Sequence, residues 1–297
     1  MLSRRRFITI AAAVAPSLAL AKGNVVHVET ATALGAKVTL RLDHPEAPRL
    51  AALAMAEIRR LEGVFSLYLP GSSLVALNRD SVLPDPPFEL LDCLTIAGAV
   101  HRASGGRFDP TVQPLWQAEA DALVAATPLT DDQRRALRAR MGWDGVMLEP
   151  EAITLRPGMA LTLNGIAQGY VADRVAALMA DNGLTRALID TGEMVALPEG
   201  DWPVHLADRS LTLQGRALAT SSPLGMTFGN DGRTSHILNP ATLRPTVPVW
   251  SAISISAPSA ALADALSTAA CLYDDRSGPE TLCRQFADAR VESAIEL

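Results

Sequence analysis

The chain has 297 residues, 48% of them hydrophobic and 20% charged, and a formal net charge of −6 at pH 7. This length and hydrophobic content can support one large core or two fused smaller ones, and no low-complexity linker divides the sequence. The acidic balance excludes the strongly basic surface of a nucleic-acid-binding protein, so we expect no nucleic-acid partner.

The N-terminus has the pattern of an export signal. Three arginines at 4–6 precede an apolar run that Pro16 interrupts, and a small-residue cleavage site ends at Ala21. The apolar run is too short to span a bilayer as a permanent helix. The sequence therefore predicts a twin-arginine signal peptide at 1–21 and a single domain at 22–297 that is exported to the periplasm. A core helix at the N-terminus of a cytosolic protein is the alternative.

The three cysteines have no metal-like spacing, and two of them lie in apolar helical patterns. We interpret Cys93, Cys271 and Cys283 as buried hydrophobic side chains. A Cys271–Cys283 disulfide is the alternative in an oxidising compartment.

The first half of the chain alternates β-rich runs with helical patterns. The predicted elements, in chain order, are a hairpin at 25–42, helices at 48–64, 87–104 and 130–140, and a hairpin at 146–155. Thr130 is the predicted N-cap of the third helix, and Gly105-Gly106 end the second. A loop follows the glycines, because Pro110 keeps Asp109 out of the helical region.

The stretch from Leu161 to Gly183 has the pattern of a short apolar strand that runs through two glycines into an amphipathic helix. Asn164 is the predicted N-cap of this helix, and Gly183 is the predicted stop. A glycine-bearing helix N-terminus offers unpaired backbone N–H groups and the positive end of the helix dipole, which suit phosphate or another anion. A tight turn that binds nothing is the alternative for this motif alone.

The second half of the chain favours an antiparallel sheet. Short β-like runs occur at 187–190, 203–207, 210–214, 217–220 and 249–256, with turn residues between them. Such strands, with helices on one face, predict an α+β fold and argue against a doubly wound parallel sheet.

A last helix is predicted after Pro258, with Ser259 as its N-cap. It carries Asp264 and Thr268 four residues apart, so both oxygens project from one face. Apolar residues surround this aspartate in the sequence, which indicates a functional group, whereas a solvated helix face is the alternative.

Four motifs occur in order along the chain: R-F-D-P-T-V-x-P-L-W at 107–116, G-I-A-Q-G-Y-x-x-D at 165–173, H-I-L-N-P-A-T at 236–242 and S-A-P-S-A-x-x-A-D-A-L-S-T at 256–268. Taken together, they resemble the motifs of the FAD:protein FMN transferase (ApbE-type) family. The resemblance covers roughly residues 50–275. It implies a T-fold-like α+β domain with mainly antiparallel sheets and packed helices.

The resemblance also implies a reaction. The expected activity is Mg²⁺-dependent transfer of FMN from FAD to a Thr or Ser hydroxyl of an acceptor protein, through a phosphoester and with release of AMP. The expected acceptor is a subunit of a membrane or periplasmic redox complex. A flavin carrier without transfer activity and an FAD pyrophosphatase that gives FMN and AMP are the alternatives.

Residue roles follow from the same resemblance. His236 is the expected catalytic base, since an imidazole titrates near neutral pH. The Mg²⁺ ligands would be Asp264, Thr268 and the backbone carbonyl of Ala167. The residues expected at the flavin nucleotide are Tyr68, Asn78, Asp109, Thr111, Gly165, Gln168 and Asp173, with the Tyr68 ring stacked on an aromatic ring and Asn78 fixing either a loop or the nucleotide.

The chain departs from the family pattern at several positions. Gln168 replaces a lysine and Asn239 an aspartate, which removes one positive and one negative charge near the diphosphate and the base. Without that aspartate, an upward shift of the His236 pKa is not expected. Asn164 and Leu243 stand where the family usually has glycines. Thr191 replaces the first residue of a double glycine, whereas Gly192 and the acid Glu193 fit the pattern. Thr220-Ser221-Ser222 lies in a run that usually contains a tyrosine, which this chain lacks.

Overall fold

The computed structural model describes residues 26–33, 35–229 and 232–297. The predicted signal peptide and the first residues of the predicted 22–297 domain lie outside these ranges. The described residues form eight α-helices: α1 Ala47–Phe65, α2 Ser73–Asp80, α3 Phe88–Ala103, α4 Gln113–Val124, α5 Asp131–Arg138, α6 Ala167–Asp181, α7 Ala260–Ala270 and α8 Ser277–Cys283.

The same residues form sixteen strands. They are β1 His27–Ala33, β2 Ala36–Leu42, β3 Val82–Pro84, β4 Val146–Leu148, β5 Ala152–Leu155, β6 Ala187–Asp190, β7 Met194–Ala196, β8 Trp202–His205, β9 Ser210–Leu213, β10 Ala217–Ser221, β11 Thr227–Phe228, β12 Thr234–Ser235, β13 Leu238–Asn239, β14 Arg244–Pro245, β15 Trp250–Ala257 and β16 Arg290–Glu296.

Seven strands form one sheet in the order β1-β2-β6-β7-β10-β15-β16. Each neighbouring pair in it is antiparallel. A second antiparallel sheet has the order β3-β5-β4, and the remaining strands form two-stranded ribbons. The predicted α+β fold with mainly antiparallel sheets and packed helices is therefore confirmed.

Helices α1, α6 and α7 pack against the large sheet, and α6 contacts both α1 and α7. The alternation of side chains along a strand separates this layer from a smaller one on the other face. In β6, Ala187 and Ile189 belong to the core beneath the helices, whereas Leu188 packs with Trp202 and Val204 of the β8–β9 hairpin. The sheet thus holds α6 and α7 firmly from one side.

Most predicted elements form close to their expected bounds. The hairpins β1–β2 and β4–β5 are present, as are helices α1, α3, α5, α6 and α7. Thr130 caps α5 with a reciprocal bond to Gln133, and Ser259 caps α7 by accepting from the Leu262 N–H. Among the described helices, none is both long and apolar enough to cross a bilayer.

The prediction for 161–163 was wrong, because this apolar run does not form a strand. The side chain of Asn78 accepts from the Leu161 N–H at 2.7 Å and donates to the Leu161 carbonyl at 2.9 Å. The Thr162 N–H donates to the Pro110 carbonyl at 2.8 Å. These bonds satisfy backbone groups that a sheet neighbour would otherwise pair.

The predicted N-cap of the central helix was also wrong. Ile166 is the N-cap residue of α6, and no side chain caps this end, so Asn164 lies outside the helix. At the other end, Gly183 follows the C-cap Asn182 with φ of +86°, a left-handed conformation that glycine adopts without strain. Two of the first N–H groups of α6 are bonded within the protein, since that of Ala167 donates to the Leu163 carbonyl at 2.8 Å and that of Gly169 donates to Asp264.

All three cysteines lie within the described ranges and are buried free thiols. Their interpretation as hydrophobic side chains is confirmed. The alternative disulfide between Cys271 and Cys283 does not form in this structure.

Candidate active site

A cleft of about 730 Å³ opens beside the N-terminus of α6 and one face of α7. This volume lies in the range typical of small-molecule sites. Eight of the predicted site residues line it, and these are Tyr68, Asp109, Gly165, Ala167, Gln168, His236, Asp264 and Thr268. The other three predicted residues, Asn78, Thr111 and Asp173, are not part of the lining.

Two glycines let the α6 segment approach α7 closely. A Cβ atom on Gly165 would lie 2.7 Å from the Thr268 hydroxyl oxygen, and one on Gly169 would lie 2.2 Å from the Ala260 carbonyl oxygen. The Gly169 N–H donates to an Asp264 carboxylate oxygen at 3.4 Å. Asp264 and Thr268 therefore share one face of α7 and line the same cleft, as their spacing predicted.

Two buried carboxylates line the cleft without a counter-charge. Asp264 is 4% exposed and Glu193 is 7% exposed. Burial raises the pKa of both groups, and the charge of Asp264 raises the pKa of Glu193 further. Glu193 accepts from the Thr220 N–H at 3.2 Å, and in the described part of the chain neither acid pairs with a lysine or arginine.

A bound cation would supply the charge that these two acids lack. Mg²⁺ prefers oxygen ligands and takes several of them from phosphates and water. Residues 26–33, 35–229 and 232–297 contain no group of three or more His, Cys, Asp or Glu side chains able to hold a metal. The protein's share would thus be the Asp264 carboxylate, the Thr268 hydroxyl and a backbone carbonyl, a set of oxygens that fits Mg²⁺ bound together with a diphosphate.

His236 lies between β12 and β13 with one ring nitrogen fixed. Its Nδ1 is 2.8 Å from the Met226 carbonyl oxygen and 3.3 Å from that of Pro223. Because a carbonyl only accepts, Nδ1 carries the proton, and Nε2 of the neutral ring keeps its lone pair. Burial lowers the pKa of His236, and the two hydrogen bonds offset part of this change. The direction agrees with the expectation that Asn239 would not raise this pKa.

The Asn239 side chain forms a turn. Its Oδ1 accepts from the Ala241 N–H at 2.9 Å and from the Thr242 N–H at 3.3 Å. The turn brings Leu243 into the left-handed region with φ of +59°, which costs roughly 1–2 kcal/mol. Leu243 is buried in an apolar cluster, and this gain of about 1.5–3 kcal/mol offsets the strain, so the chain tolerates leucine at this position.

Tyr68 and Asp109 line the cleft from two loops. Tyr68 is 58% exposed, so its ring has room to stack on a ligand. Asp109 Oδ1 accepts from the Thr111 N–H at 2.9 Å and from its hydroxyl at 2.6 Å. Burial raises the pKa of Asp109. This carboxylate both shapes the loop and faces the cleft.

The three predicted residues outside the lining hold the structure around it. Thr111 is fully buried and accepts from the Gly142 N–H at 2.7 Å. Asn78 binds the backbone of Leu161, which matches its expected role of fixing a loop. Asp173 accepts from two N–H groups at the start of α7. The geometry gives no support to a direct nucleotide contact by these three residues.

Arg107 is a cleft residue that the sequence analysis did not assign. Among the described residues of the lining, it alone carries a permanent positive charge. Its guanidinium lies 4.2 Å from the Tyr273 ring centroid and donates to the carbonyls of Leu272 at 3.4 Å and Ser104 at 3.2 Å. The sequence could have indicated Arg107 as a site residue, because it begins the R-F-D-P-T motif. It could have indicated Glu193 as well, because this residue matches an acid of the family pattern.

Gly169→Ala is expected to destabilise the fold by about 1–3 kcal/mol, the usual cost of overpacking. The added Cβ would meet the backbone of Ala260, which cannot move aside as a side chain could, so α7 must shift. Urea denaturation measures this loss. Gly63→Ala in α1 is the matched control, because a Cβ there meets nothing within 4 Å and the substitution should be neutral or stabilising. Equal stability of Gly169→Ala and the original protein would refute the close approach of α6 and α7.

Comparisons with known proteins identify the family of the chain. The model of the ApbE family matches residues 31–291. The FAD:protein FMN transferase of Treponema pallidum (strain Nichols) is 31% identical over 252 residues, which cover 71% of this chain and 68% of the relative. The protein of the same name from Klebsiella pneumoniae (strain 342) is 28% identical over 240 residues, which cover 75% and 74% of the two chains.

Solved structures show the same fold. The apo form of the Pseudomonas stutzeri flavinyl transferase ApbE superposes with a TM-score of 0.78 at 21% identity and covers 92% of this chain and 96% of its own. The ApbE protein of Thermotoga maritima superposes with a TM-score of 0.79 at 22% identity, with 90% and 94% covered. The family match over most of its length means that this chain belongs to the ApbE family.

Proposed function

We propose that the protein is a periplasmic, Mg²⁺-dependent FAD:protein FMN transferase. It joins FMN through a phosphoester to a Thr or Ser hydroxyl of an acceptor protein and releases AMP. The observation that carries this proposal is one cleft lined by the buried acids Asp264 and Glu193, the Thr268 hydroxyl and a neutral His236. The names of the relatives support the reaction, and the twin-arginine pattern at 1–21 supports the location.

The cleft suits a flavin dinucleotide for three reasons. The exposed Tyr68 ring offers a stacking surface for an aromatic ring system. The N-terminus of α6, where Ala167 and Gln168 line the cleft, presents the positive end of the helix dipole to a phosphate. Arg107 adds a full positive charge, which partly offsets the charge missing at Gln168.

Asp264 and Thr268, with the carbonyl of Ala167, are the residues that would hold Mg²⁺. The ion would neutralise charge that develops on the diphosphate as its bridging bond breaks. Glu193 lies beside Asp264, and its carboxylate would strengthen the field that attracts a divalent cation.

His236 would act as the general base. Its Nε2 accepts the proton of the acceptor hydroxyl while that oxygen forms a bond to the phosphorus of the FMN moiety. The bond from this phosphorus to the bridging oxygen breaks, and its electron pair leaves with AMP. The Met226 carbonyl holds the Nδ1 proton, which fixes the tautomer and keeps Nε2 available. Because burial lowers the His236 pKa, the ring is in its basic form at neutral pH.

The decisive experiment incubates the purified protein with FAD and Mg²⁺, with and without an acceptor. The acceptor is the unmodified form of a membrane redox-complex subunit whose threonine becomes flavinylated in the mature complex, and its Thr→Ala variant is the matched control. Mass spectrometry detects FMN on the acceptor, and chromatography detects AMP. Labelled acceptor with equal AMP supports the proposal. AMP without labelled acceptor indicates a pyrophosphatase, and bound intact FAD without AMP indicates a carrier. Either result overturns the proposed transferase activity.

A further inference from the structure

The α6 segment and α7 face each other along two matching lines of residues. Each line has a spacing of four residues, which is close to one helical turn, so its members share one face. The facing pairs are Gly165 with Thr268, Gly169 with Asp264, and Asp173 with Ala260. Since the numbers rise along one line and fall along the other, the two segments run antiparallel.

The three pairs differ in how strongly they fix the register of the two helices. At Gly165 and Gly169 the glycines permit a close approach but contribute little directional bonding, and the bond from the Gly169 N–H to Asp264 is long at 3.4 Å. At Asp173 one carboxylate oxygen accepts from the Ala260 N–H at 2.7 Å and the other from the Ala261 N–H at 2.8 Å. Charge-assisted hydrogen bonds are roughly twice as strong as neutral ones.

An ordinary helix cap would not require Asp173. Helix α7 has its own N-cap in Ser259, whose hydroxyl accepts from the Leu262 N–H and moves with α7 wherever that helix lies. Asp173 belongs to α6, so its two bonds exist in one register only. A slip of one residue would shift the Asp264 oxygens by about 1.5 Å along the axis and rotate them by about 100°.

We infer that Asp173 is a positioning residue for the cation site. It fixes α7 against α6 so that Asp264 and Thr268 present their oxygens to the cleft, although it is not part of the lining itself. This inference rests on the proposed function, because it assumes that Asp264 and Thr268 bind a divalent cation. Residues that hold metal ligands in place typically change metal affinity by about 10–100-fold when they are replaced.

The test measures Mn²⁺ binding to the full chain from the electron paramagnetic resonance signal of free Mn²⁺. Asp173→Asn removes the charge and one acceptor, and Asp173→Glu keeps the charge but extends the side chain by one methylene. Both should raise the dissociation constant by about tenfold or more. A purely electrostatic role would spare the Glu variant. Ser259→Ala, which weakens the same helix without changing its register, should lower the melting temperature and leave Mn²⁺ affinity unchanged.

The outcomes separate this inference from the proposed function. If Asp264→Asn binds Mn²⁺ as the original protein does, the cation site itself is wrong and the inference falls with it. If Asp264→Asn loses affinity while both Asp173 variants keep it, the positioning role alone is overturned. If Ser259→Ala loses as much Mn²⁺ affinity as the Asp173 variants do, Asp173 only stabilises the start of α7 and does not position the cation site. Circular dichroism on each variant confirms that the folded protein is measured. If one of the two Asp173 variants fails to fold, the other still tests the inference.

Discussion

Replacing Asp264 with asparagine should reduce AMP release from FAD by at least about 100-fold while the protein stays folded. A bound cation supplies several kcal/mol of charge stabilisation at a phosphoryl centre, and each 1.36 kcal/mol corresponds to a factor of ten in rate. Asp264 is the carboxylate that the cleft face of α7 contributes to this site. Asparagine keeps its size and an oxygen acceptor for the Gly169 N–H, so the loss isolates the charge.

The stability of the same variant tests the burial argument. Asp264 and Glu193 repel each other inside the protein, and burial disfavours the charged form of both. Without a cation, removing one of these charges should leave the melting temperature unchanged or raise it. The measurements are AMP release across a range of Mg²⁺ concentrations and thermal unfolding in EDTA.

An exposed acid provides the control for Asp264. Asp274 lies just beyond α7 and is exposed, so Asp274→Asn should release AMP at the original rate. If Asp264→Asn also turned over FAD at that rate, Asp264 would have no part in the chemistry and the assignment of the cation site would be wrong.

Hydrophobic periodicity predicted the elements that build the core. Helices α1, α3, α6 and α7 are long, and their apolar spacing and end residues agree with each other. Helices α2, α4 and α8 were not predicted. Helices α2 and α8 have only eight and seven residues, and α4 begins after Pro110, where a loop was predicted. Its own Pro114 lies in the first helical turn, where proline is favoured.

The error at 161–163 has a different cause. The backbone of Leu161 is satisfied by the side chain of Asn78, a residue 83 positions earlier in the chain. A local pattern of apolar residues contains no trace of such a partner. The apolar side chains Leu161 and Leu163 are nevertheless buried, so the pattern correctly indicated burial and failed only on backbone pairing.

The motifs identified the cleft but could not sort its residues by role. Asp173 and Gln168 belong to one motif, yet only Gln168 lines the cleft, because the helical rotation between them points Asp173 at the start of α7. In the same way, Asp109 faces the cleft while Thr111, two residues later, is buried beneath it. Which neighbour a side chain meets depends on elements that are distant in the sequence.

His236→Ala should slow FMN transfer by about 10²–10⁴-fold, the usual contribution of a general base, and leave FAD affinity nearly unchanged. A base acts on the proton that moves in the transition state and adds little to binding of the ground state. Transfer rates under single-turnover conditions, together with FAD binding by fluorescence, separate the two effects. His205→Ala is the matched control, because that histidine lies on the β8–β9 hairpin and is not part of the cleft lining.

The pH dependence of the original protein tests the same assignment. The neutral ring is the active form, and burial lowers the His236 pKa from its ordinary value of 6.5. At saturating Mg²⁺, which would keep Asp264 ionised, the rate should therefore hold through neutral pH and fall as pH drops below 6.5, when Nε2 becomes protonated. His236→Ala should lack this fall. A different result would contradict this role: His236→Ala stays folded and loses FAD binding, and the pH profile of its remaining transfer is unchanged. His236 would then bind the nucleotide and would not take the proton, and the carrier function would gain support.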